Sequence, residues 1–337
     1  MAAQADWTPF HARIHRMLRQ RQLLPPQSWL LVAVSGGQDS LCLLKLLLDL
    51  QPKWHWSVAV AHCNHRWRSD ADANAEYIRQ LAAAWQFPFY GTVAPEPCPT
   101  EAAAREWRYQ VLAKIASEQN YGYVVTGHTA SDRTETLLYN LMRGSGADGL
   151  QALAWQRPLA SKVQLVRPLL EITRAETAAF CQQNLLQIWE DSTNHDLKFA
   201  RNRIRHELIP YLQTHFNPRI ESTLAQTAEL LRSDVEYLEM AAEQLWQQVV
   251  IVESNQAIRL NRTLLRDAPL ALQRRVIRLG LKHILSTASS FEQIEKLAAL
   301  LSAPNRSQTD PFPGGAIAWV QGDWIWLGSK EAASTRS

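Results

Sequence analysis

Short apolar runs alternate with amphipathic stretches along the first half of the chain. Trp29–Val34 is continuously apolar with no helical stripe, and Gly36-Gly37 follows it at once. Similar short runs recur at Ser57–His62, Phe89–Val93 and Tyr121–Thr126, and a fifth strand is expected at Val163–Val166. Between them Leu41–Leu50, Asp70–Trp85, Glu101–Ser117 and Ser131–Met142 read as helices, the third strengthened by its alanines, which lose no side-chain entropy. Thr173 and Glu176 have capping-box spacing for a helix through Gln183. Strands that alternate with helices imply an α/β fold, a Rossmann-like parallel sheet covered on both faces.

The pattern changes after His215-Phe-Asn-Pro218. Arg219–Val250 reads as one long amphipathic helix, followed by helices at Leu270–Ile284 and Phe291–Leu301. Pro311–Gly315 is turn chemistry, and Ala316–Trp326 has the β-formers of a terminal hairpin. The expected division is therefore an α/β domain over residues 1–216 and a smaller, mainly helical domain over 217–337.

Composition narrows the class. Among 337 residues, 46% are hydrophobic and 20% charged, which excludes disorder and collagen-like structure. No run approaches the roughly 18 apolar residues of a membrane helix, and Arg13, Arg16, Arg19 and Arg21 interrupt any leader-like core, so a cytoplasmic protein without membrane partners is expected. Cys42, Cys63, Cys98 and Cys181 form no CxxC pair, which speaks against zinc, iron–sulfur or redox chemistry. A net charge of +3 leaves any nucleic-acid surface to a local patch.

The first chemical signal is Ser35-Gly36-Gly37-Gln38-Asp39-Ser40, set between a buried strand and a helix. Glycines let backbone N–H groups approach an anion, the helix N-terminus adds positive charge, and the two serines offer hydroxyls. Asp39 would repel phosphate unless a magnesium ion lay between them, so the loop points to a metal–phosphate site. There is no GxxxxGK[ST], which removes the P-loop kinases and GTPases.

This loop resembles the pyrophosphate loop of the ATP-pyrophosphatase (PP-loop) superfamily. Four further segments narrow the resemblance: Ala61-His62-Cys-Asn64-His65-Arg66 with Arg68, Glu101-Ala-Ala-Ala-Arg105, Gly127-His128 with Asp132 and Glu135, and Asp191-Ser-Thr-Asn194 followed by Arg201-Asn-Arg203-Ile-Arg205. Together, and in this order, they resemble the tRNA(Ile)-lysidine synthase family; Trp67 departs from the small or aliphatic residue expected there. The resemblance implies a carbon–nitrogen ligase using ATP and magnesium. It would adenylate C2 of the wobble cytidine in a CAU-anticodon isoleucine tRNA and join it to the ε-amine of free L-lysine. AMP and pyrophosphate would leave, and codon reading would switch from AUG to AUA. The assembly is left open, a homodimer included.

Residue by residue, the resemblance puts ATP on Ser35–Ser40 and His62, the magnesium on Asp39, and catalysis on Asp39 and Arg105, whose guanidinium would face charge developing at the α-phosphate. Asn64, His65, Glu101 and His128 would border that pocket. Glu101 and Arg105 share a helical face and can also pair with each other. Asp132 and Glu135, three apart, point the same way; they either complement a helix dipole or answer a cation, and the resemblance places lysine there. Arg201, Arg203 and Arg205 form a basic cluster, and Arg274, Arg278 and Lys282 a stripe; both suit tRNA phosphates or a solvated face. Two other readings compete. Another PP-loop tRNA-modifying enzyme, such as a tRNA thiolase, wants a reactive cysteine pair, whereas only Cys63 lies near a motif. A nucleotide sensor without catalysis is opposed by intact Asp39, Arg105, Asp132 and Glu135.

Overall fold

The computed structural model describes residues 7–67, 70–189, 196–254, 257–285, 287 and 289–329. Arg68 and the Asp191–Asn194 segment lie outside the described residues. The chain forms two compact units, residues 1–231 and 232–337.

The first unit is built on a six-stranded sheet. Its strands are β1 (Trp29–Ala33), β2 (Ser57–Asn64), β3 (Phe89–Val93), β4 (Tyr123–Thr126), β5 (Gln156–Ala160) and β6 (Val163–Val166). They lie in the order β3-β2-β1-β4-β6-β5, parallel except that β5 runs antiparallel to β6. The edge strand β5 was not foreseen. Pro158 cannot donate to a ladder, which demotes a run to an edge, and an edge is where β5 sits.

Both faces of the sheet are buried, which explains strands that read as unbroken apolar runs. Leu30, Val32, Val58, Val60, Val125 and Val166 pack under α1 (Pro9–Gln20), α2 (Gln38–Trp54), α3 (Ala71–Ala84) and α7 (Arg174–Gln183). Leu31, Ala59, Ala61, Val124 and Leu165 point the other way, against Tyr109, Leu112 and Ala116 of α4 (Glu101–Glu118). The unit is completed by α5 (Ala130–Met142), the short α6 (Ala147–Leu150) and α8 (Ala200–Arg203), a π-helical turn at Ile204–Leu208, α9 (Ile209–His215) and the start of α10 (Ile220–Val249).

The boundary between the compact units falls at Leu231/Arg232, inside α10, not at Asn217-Pro218. Asn217-Pro218 is a helix boundary only. Beyond it Glu229 is bonded to Arg133 at 2.6 Å, to Arg21 at 2.8 Å and to the Trp155 indole at 3.0 Å, which ties the first turns of α10 to the first unit.

The second unit pairs α11 (Arg262–Asp267), α12 (Leu270–Ile284) and α13 (Phe291–Ala298) with a four-stranded antiparallel sheet. Its strands are β7 (Val250–Ser254), β8 (Ala257–Asn261), β9 (Ala316–Gln321) and β10 (Trp324–Ser329), in the order β7-β8-β10-β9. The expected terminal hairpin is β9–β10; β7 and β8 extend it. Ile258, Leu260, Ala318, Val320, Ile325 and Leu327 form its buried face, packed with Val276, Ile277 and Leu281 of α12.

Candidate active site

The loop between β1 and α2 is shaped by its neighbours. Gly36 has φ +91°, and a Cβ there would lie 2.4 Å from Asn74 Oδ1, so glycine is required on both counts. Asn74 also donates to the Ser35 carbonyl at 2.9 Å. Gly37 precedes α2 in extended conformation with no side-chain cap, which leaves the first N–H groups of the helix for an anion. The hydroxyls of Ser35 and Ser40 lie 3.2 Å apart, and Ser40 donates to the Gly37 carbonyl at 2.9 Å.

At the end of β4, a Cβ on Gly127 would stand 2.8 Å from the Asp39 carbonyl oxygen. Gly127→Ala should therefore push the first turn of α2, cost about 1–3 kcal/mol and weaken ATP binding. A melting curve with an ATP titration checks this; unchanged ATP affinity would contradict it.

These segments border a cleft of about 710 Å³ at the carboxyl edge of the sheet, where strand order reverses between β1 and β4. Ligands bind at that position in open α/β folds. The cleft holds a dense charge cluster. Arg174, the first residue of α7, donates through Nε to Asp39 at 3.0 Å and through Nη2 to Asp132 at 2.9 Å, and Nη1 lies 3.4 Å from Glu135. Glu135, only 3% exposed, also receives a two-pronged contact from Arg205 at 2.7 and 2.9 Å. Three carboxylates thus meet two guanidinium groups, one acid more than bases. Burial raises Asp132, but Arg174, His128 and the Thr129 amide outweigh it and hold Asp132 down to about 2. Burial pushes Glu135 up, as does Asp132, against the opposing pull of Arg205. Burial similarly pushes Asp39 up despite Arg174.

Asp132 has two tasks. Its carboxylate accepts from the Thr129 amide and hydroxyl, both at 2.8 Å, closing a capping box on α5. The dipole-complementing role considered from sequence is thus present, and the other carboxylate oxygen accepts from Arg174.

Other expected residues divide. Ser35, Gly37, Gln38, Ser40, His65, Glu101, Arg105 and His128 all line the cleft. Gln38 also reaches away to the Arg174 carbonyl at 2.7 Å and to Thr177 at 2.9 Å, tying α2 to α7. His62, expected on ATP, has its side chain turned from the cleft by strand alternation. It is 4% exposed and its Nδ1 bonds the Val34 carbonyl at 2.8 Å, at the start of the loop. Asn64, on the same face, donates to Asp72 at 2.7 Å and accepts from the Arg66 amide at 2.9 Å. Its contribution is to loop shape. His128 bonds Thr126 at 2.9 Å and is pushed down to about 3, by burial first and then by Arg167, Arg108 and Arg105 against the opposing field of Asp132. Trp67 donates to the Cys98 carbonyl at 2.6 Å and lines the cleft.

The ion pair that spacing allowed between Glu101 and Arg105 does not form: Glu101 accepts from Arg201 Nη1 at 2.8 Å. Arg105 lies over the Tyr109 ring. Of the arginines expected on tRNA, Arg205 is committed to Glu135, and Arg203 donates to the Leu197 and Lys198 carbonyls at 2.8 and 3.1 Å. The stripe on α12 is partly neutralised, Arg274 by Glu295 at 2.7 Å and Arg278 by Glu239 at 3.5 Å, while Lys282 is exposed. Sequence reasoning missed Arg174, Asn74 and Thr177. Arg174 stands inside the Thr173–Glu176 capping box, which was visible, but its three acceptors lie 39 to 135 residues away.

A magnesium ion is compatible with the donor chemistry at Asp39, whose oxygens accept from Thr177 at 2.5 Å and from Arg174 at 3.0 Å. Among the described residues no group of three or more His, Cys, Asp or Glu side chains is arranged to hold a metal. An ion here would have Asp39 as its protein anchor and take its other ligands from phosphates and water.

Comparison with known proteins agrees with this geometry. Residues 8–212 match the PP-loop domain family. The chain is 62% identical to a tRNA(Ile)-lysidine synthase of Nostoc sp. (strain PCC 7120 / SAG 25.82 / UTEX 2576), over 97% of this chain and 99% of that one. It is 53% identical to a tRNA(Ile)-lysidine synthase of Synechococcus sp. (strain ATCC 27144 / PCC 6301 / SAUG 1402/1), over 96% and 98%. Among solved structures, a U34-tRNA thiolase of Methanococcus maripaludis superimposes with TM-score 0.53 at 15% identity, over 66% of this chain and 79% of that one, a likeness of fold alone. No helix among the described residues is long and apolar enough to cross a membrane. With an ATP-type loop facing a carboxylate cluster, and with relatives of this identity along nearly its whole length, the chain belongs to the tRNA(Ile)-lysidine synthase family of PP-loop enzymes.

Proposed function

We propose that the cleft runs two successive reactions on a CAU-anticodon isoleucine tRNA. In the first, the C2 oxygen of the wobble cytidine attacks the α-phosphorus of ATP, and pyrophosphate leaves. In the second, the ε-amine of L-lysine attacks C2, AMP leaves, and a carbon–nitrogen bond remains. The observation that carries this reading is the acid cluster Asp39–Asp132–Glu135 around Arg174, beside an ATP-type loop.

The loop Ser35–Ser40 and the first turn of α2 hold the phosphates. Asp39 would anchor magnesium, which when bound neutralises phosphate charge. Arg105 faces negative charge that develops during adenylation. Asp132 and Glu135 hold lysine through its ammonium groups. Lysine must shed an ε-proton, with a reference pKa of about 10.4, before it attacks. Asp132 at about 2 and His128 at about 3 are weak bases. A carboxylate that burial raises, Glu135 or Asp39, or the departing phosphate accepts the proton.

The thiolase alternative is disfavoured by the thiols. Cys42 and Cys181 are buried, and burial pushes Cys63, the thiol that lines the cleft, up to about 12, far from a thiolate at neutral pH. The experiment is incubation with ATP, labelled lysine and the CAU isoleucine transcript, followed by nucleoside analysis. Label should enter the wobble nucleoside with one AMP released per event; ATP-dependent change of the tRNA that ignores lysine would overturn the reading.

A further inference from the structure

We propose that a second anion site adjoins the cleft, a phosphate subsite made by Arg108 and Arg157 and backed by Arg105 and Arg167. It takes a backbone phosphate of the tRNA beside the nucleotide being modified. The proposal rests on the reading above in taking tRNA as the polymer, and it concerns residues to which that reading gives no role, apart from Arg105.

The observations start from Tyr109, 7% exposed on the inner face of α4. The guanidinium carbons of Arg157, Arg105 and Arg108 lie 5.0, 5.7 and 5.7 Å from its ring centroid. Arg167, 2% exposed, acts on the same phenol. Four cations therefore gather about one ring. Five other arginines around the cleft and its flanks, Arg174, Arg201, Arg205, Arg133 and Arg21, each meet an acid. Here, among the described residues, none of the four has a carboxylate partner. Arg157 donates to the backbone carbonyl of Pro158 at 3.1 Å and Arg167 to that of Ala154 at 2.6 Å, and Arg167 also faces the Tyr109 hydroxyl.

The electrostatic consequences are visible in the neighbours. Burial would raise the Tyr109 phenol, yet Arg167, Arg105 and Arg108 bring it below its ordinary value. Arg167 is lowered by burial, and repulsion from Arg157 and Arg105 adds to that. Like charges held this closely with no acid between them are stabilised when an anion arrives. Guanidinium forks match phosphate oxygens in pairs, which favours a phosphate over a lone carboxylate.

Position selects the source of that phosphate. Arg105 and Arg108 stand on the wall of the cleft, but Arg157 and Arg167 are not part of it. Arg157 is on the edge strand β5, three strands from β1 and its phosphate loop. A small nucleotide held at Ser35–Ser40 ends inside the cleft. A polynucleotide whose reacting base enters the cleft must carry its backbone out, and the cluster runs from the wall to the sheet edge.

The test uses Arg108→Gln and Arg157→Gln, singly and together, in the full-length protein. Equilibrium binding of the CAU isoleucine transcript is measured over a salt series, without lysine, alongside melting temperatures. Each single change should weaken tRNA binding roughly threefold to tenfold and lower the salt slope by about one; the double variant should lower it by about two. The KM for ATP should stay within about twofold. Arg157→Lys should retain most of the salt slope, because a point charge suffices for that term. Two results would overturn the subsite. One is an unaltered tRNA salt slope in folded single variants. The other is weakened binding of ATP or pyrophosphate with tRNA binding unmoved, which would make it a free-polyphosphate site. Because tRNA binding is read without lysine, a failure here stands apart from a failure of wild-type protein to make lysidine.

Discussion

Replacing Arg174 with alanine should cost the first unit about 2–3 kcal/mol and reduce adenylation by two orders of magnitude or more. Removing one partner of a buried charge cluster leaves the others uncompensated, a loss of about 3–5 kcal/mol when burial is complete. The Arg174 side chain is 29% exposed, so the lower figure applies. The acids left behind are Asp39 and Asp132, with Glu135 still held by Arg205. Without its counter-charge Asp39 loses the contact that orients it at the phosphate loop, and the chemical step suffers more than substrate binding. Arg174→Lys should rescue part of the stability and little of the rate, because an ammonium cannot fork to three carboxylates. Melting temperature and the single-turnover rate of AMP formation separate the two effects. A variant with normal adenylation would show that Arg174 only fills space.

Exchange of either lysine-site acid for its amide should raise the lysine KM about tenfold to a hundredfold. The loss of one charged hydrogen bond is worth roughly 1.5–3 kcal/mol. ATP affinity should change little, since the phosphates belong to Ser35–Ser40, and the adenylated tRNA should accumulate when lysine is scarce. The two variants should differ in stability. Asp132→Asn also strips a carboxylate from the Thr129 capping box. Asp132 has a folded pKa near 2 against an ordinary 3.8, so its stabilisation is present above about pH 4 and fades as pH falls toward 2. Asp132→Asn should flatten that part of the acid-unfolding curve. Glu135 is raised by burial, so it opposes stability at neutral pH, and Glu135→Gln should leave that low-pH decline in place. A normal lysine KM in both variants would sink the lysine site.

The sheet was legible because its strands are buried on both faces. Leu30-Leu31-Val32 feeds two cores at once, and an uninterrupted apolar run is the signature of that situation. The capping box at Thr173 and Glu176 formed as its spacing implied. By contrast β7 follows α10 with no breaker, Val249 ending the helix and Val250 opening the strand, so no punctuation marked the change. Helix α1 was overlooked because Arg13, Arg16 and Arg19 were weighed only as interruptions of a leader. They occupy its polar side while Ile14, Met17 and Leu18 are buried. In the site, the loop glycines and the acids were readable from local chemistry. Their partners were not. Asp39 meets Arg174 across 135 residues and Glu135 meets Arg205 across 70, and linear spacing carries no information about such pairs. For His62 the reason is simpler: alternation along β2 decides which of two neighbours faces the cleft, and Cys63 has that place.

The guanidinium shared by three acids also constrains how this sequence can drift. Positions 39, 132, 135 and 174 are bound by mutual charge compensation, so the fitness effect of a change at one depends on the residues at the other three. A library of single substitutions should find all four nearly immutable, while paired changes that remove an acid together with the arginine should recover folding without recovering turnover. Lineages can therefore cross this region only through inactive intermediates, and the quartet should persist long after the surrounding surface has been rewritten.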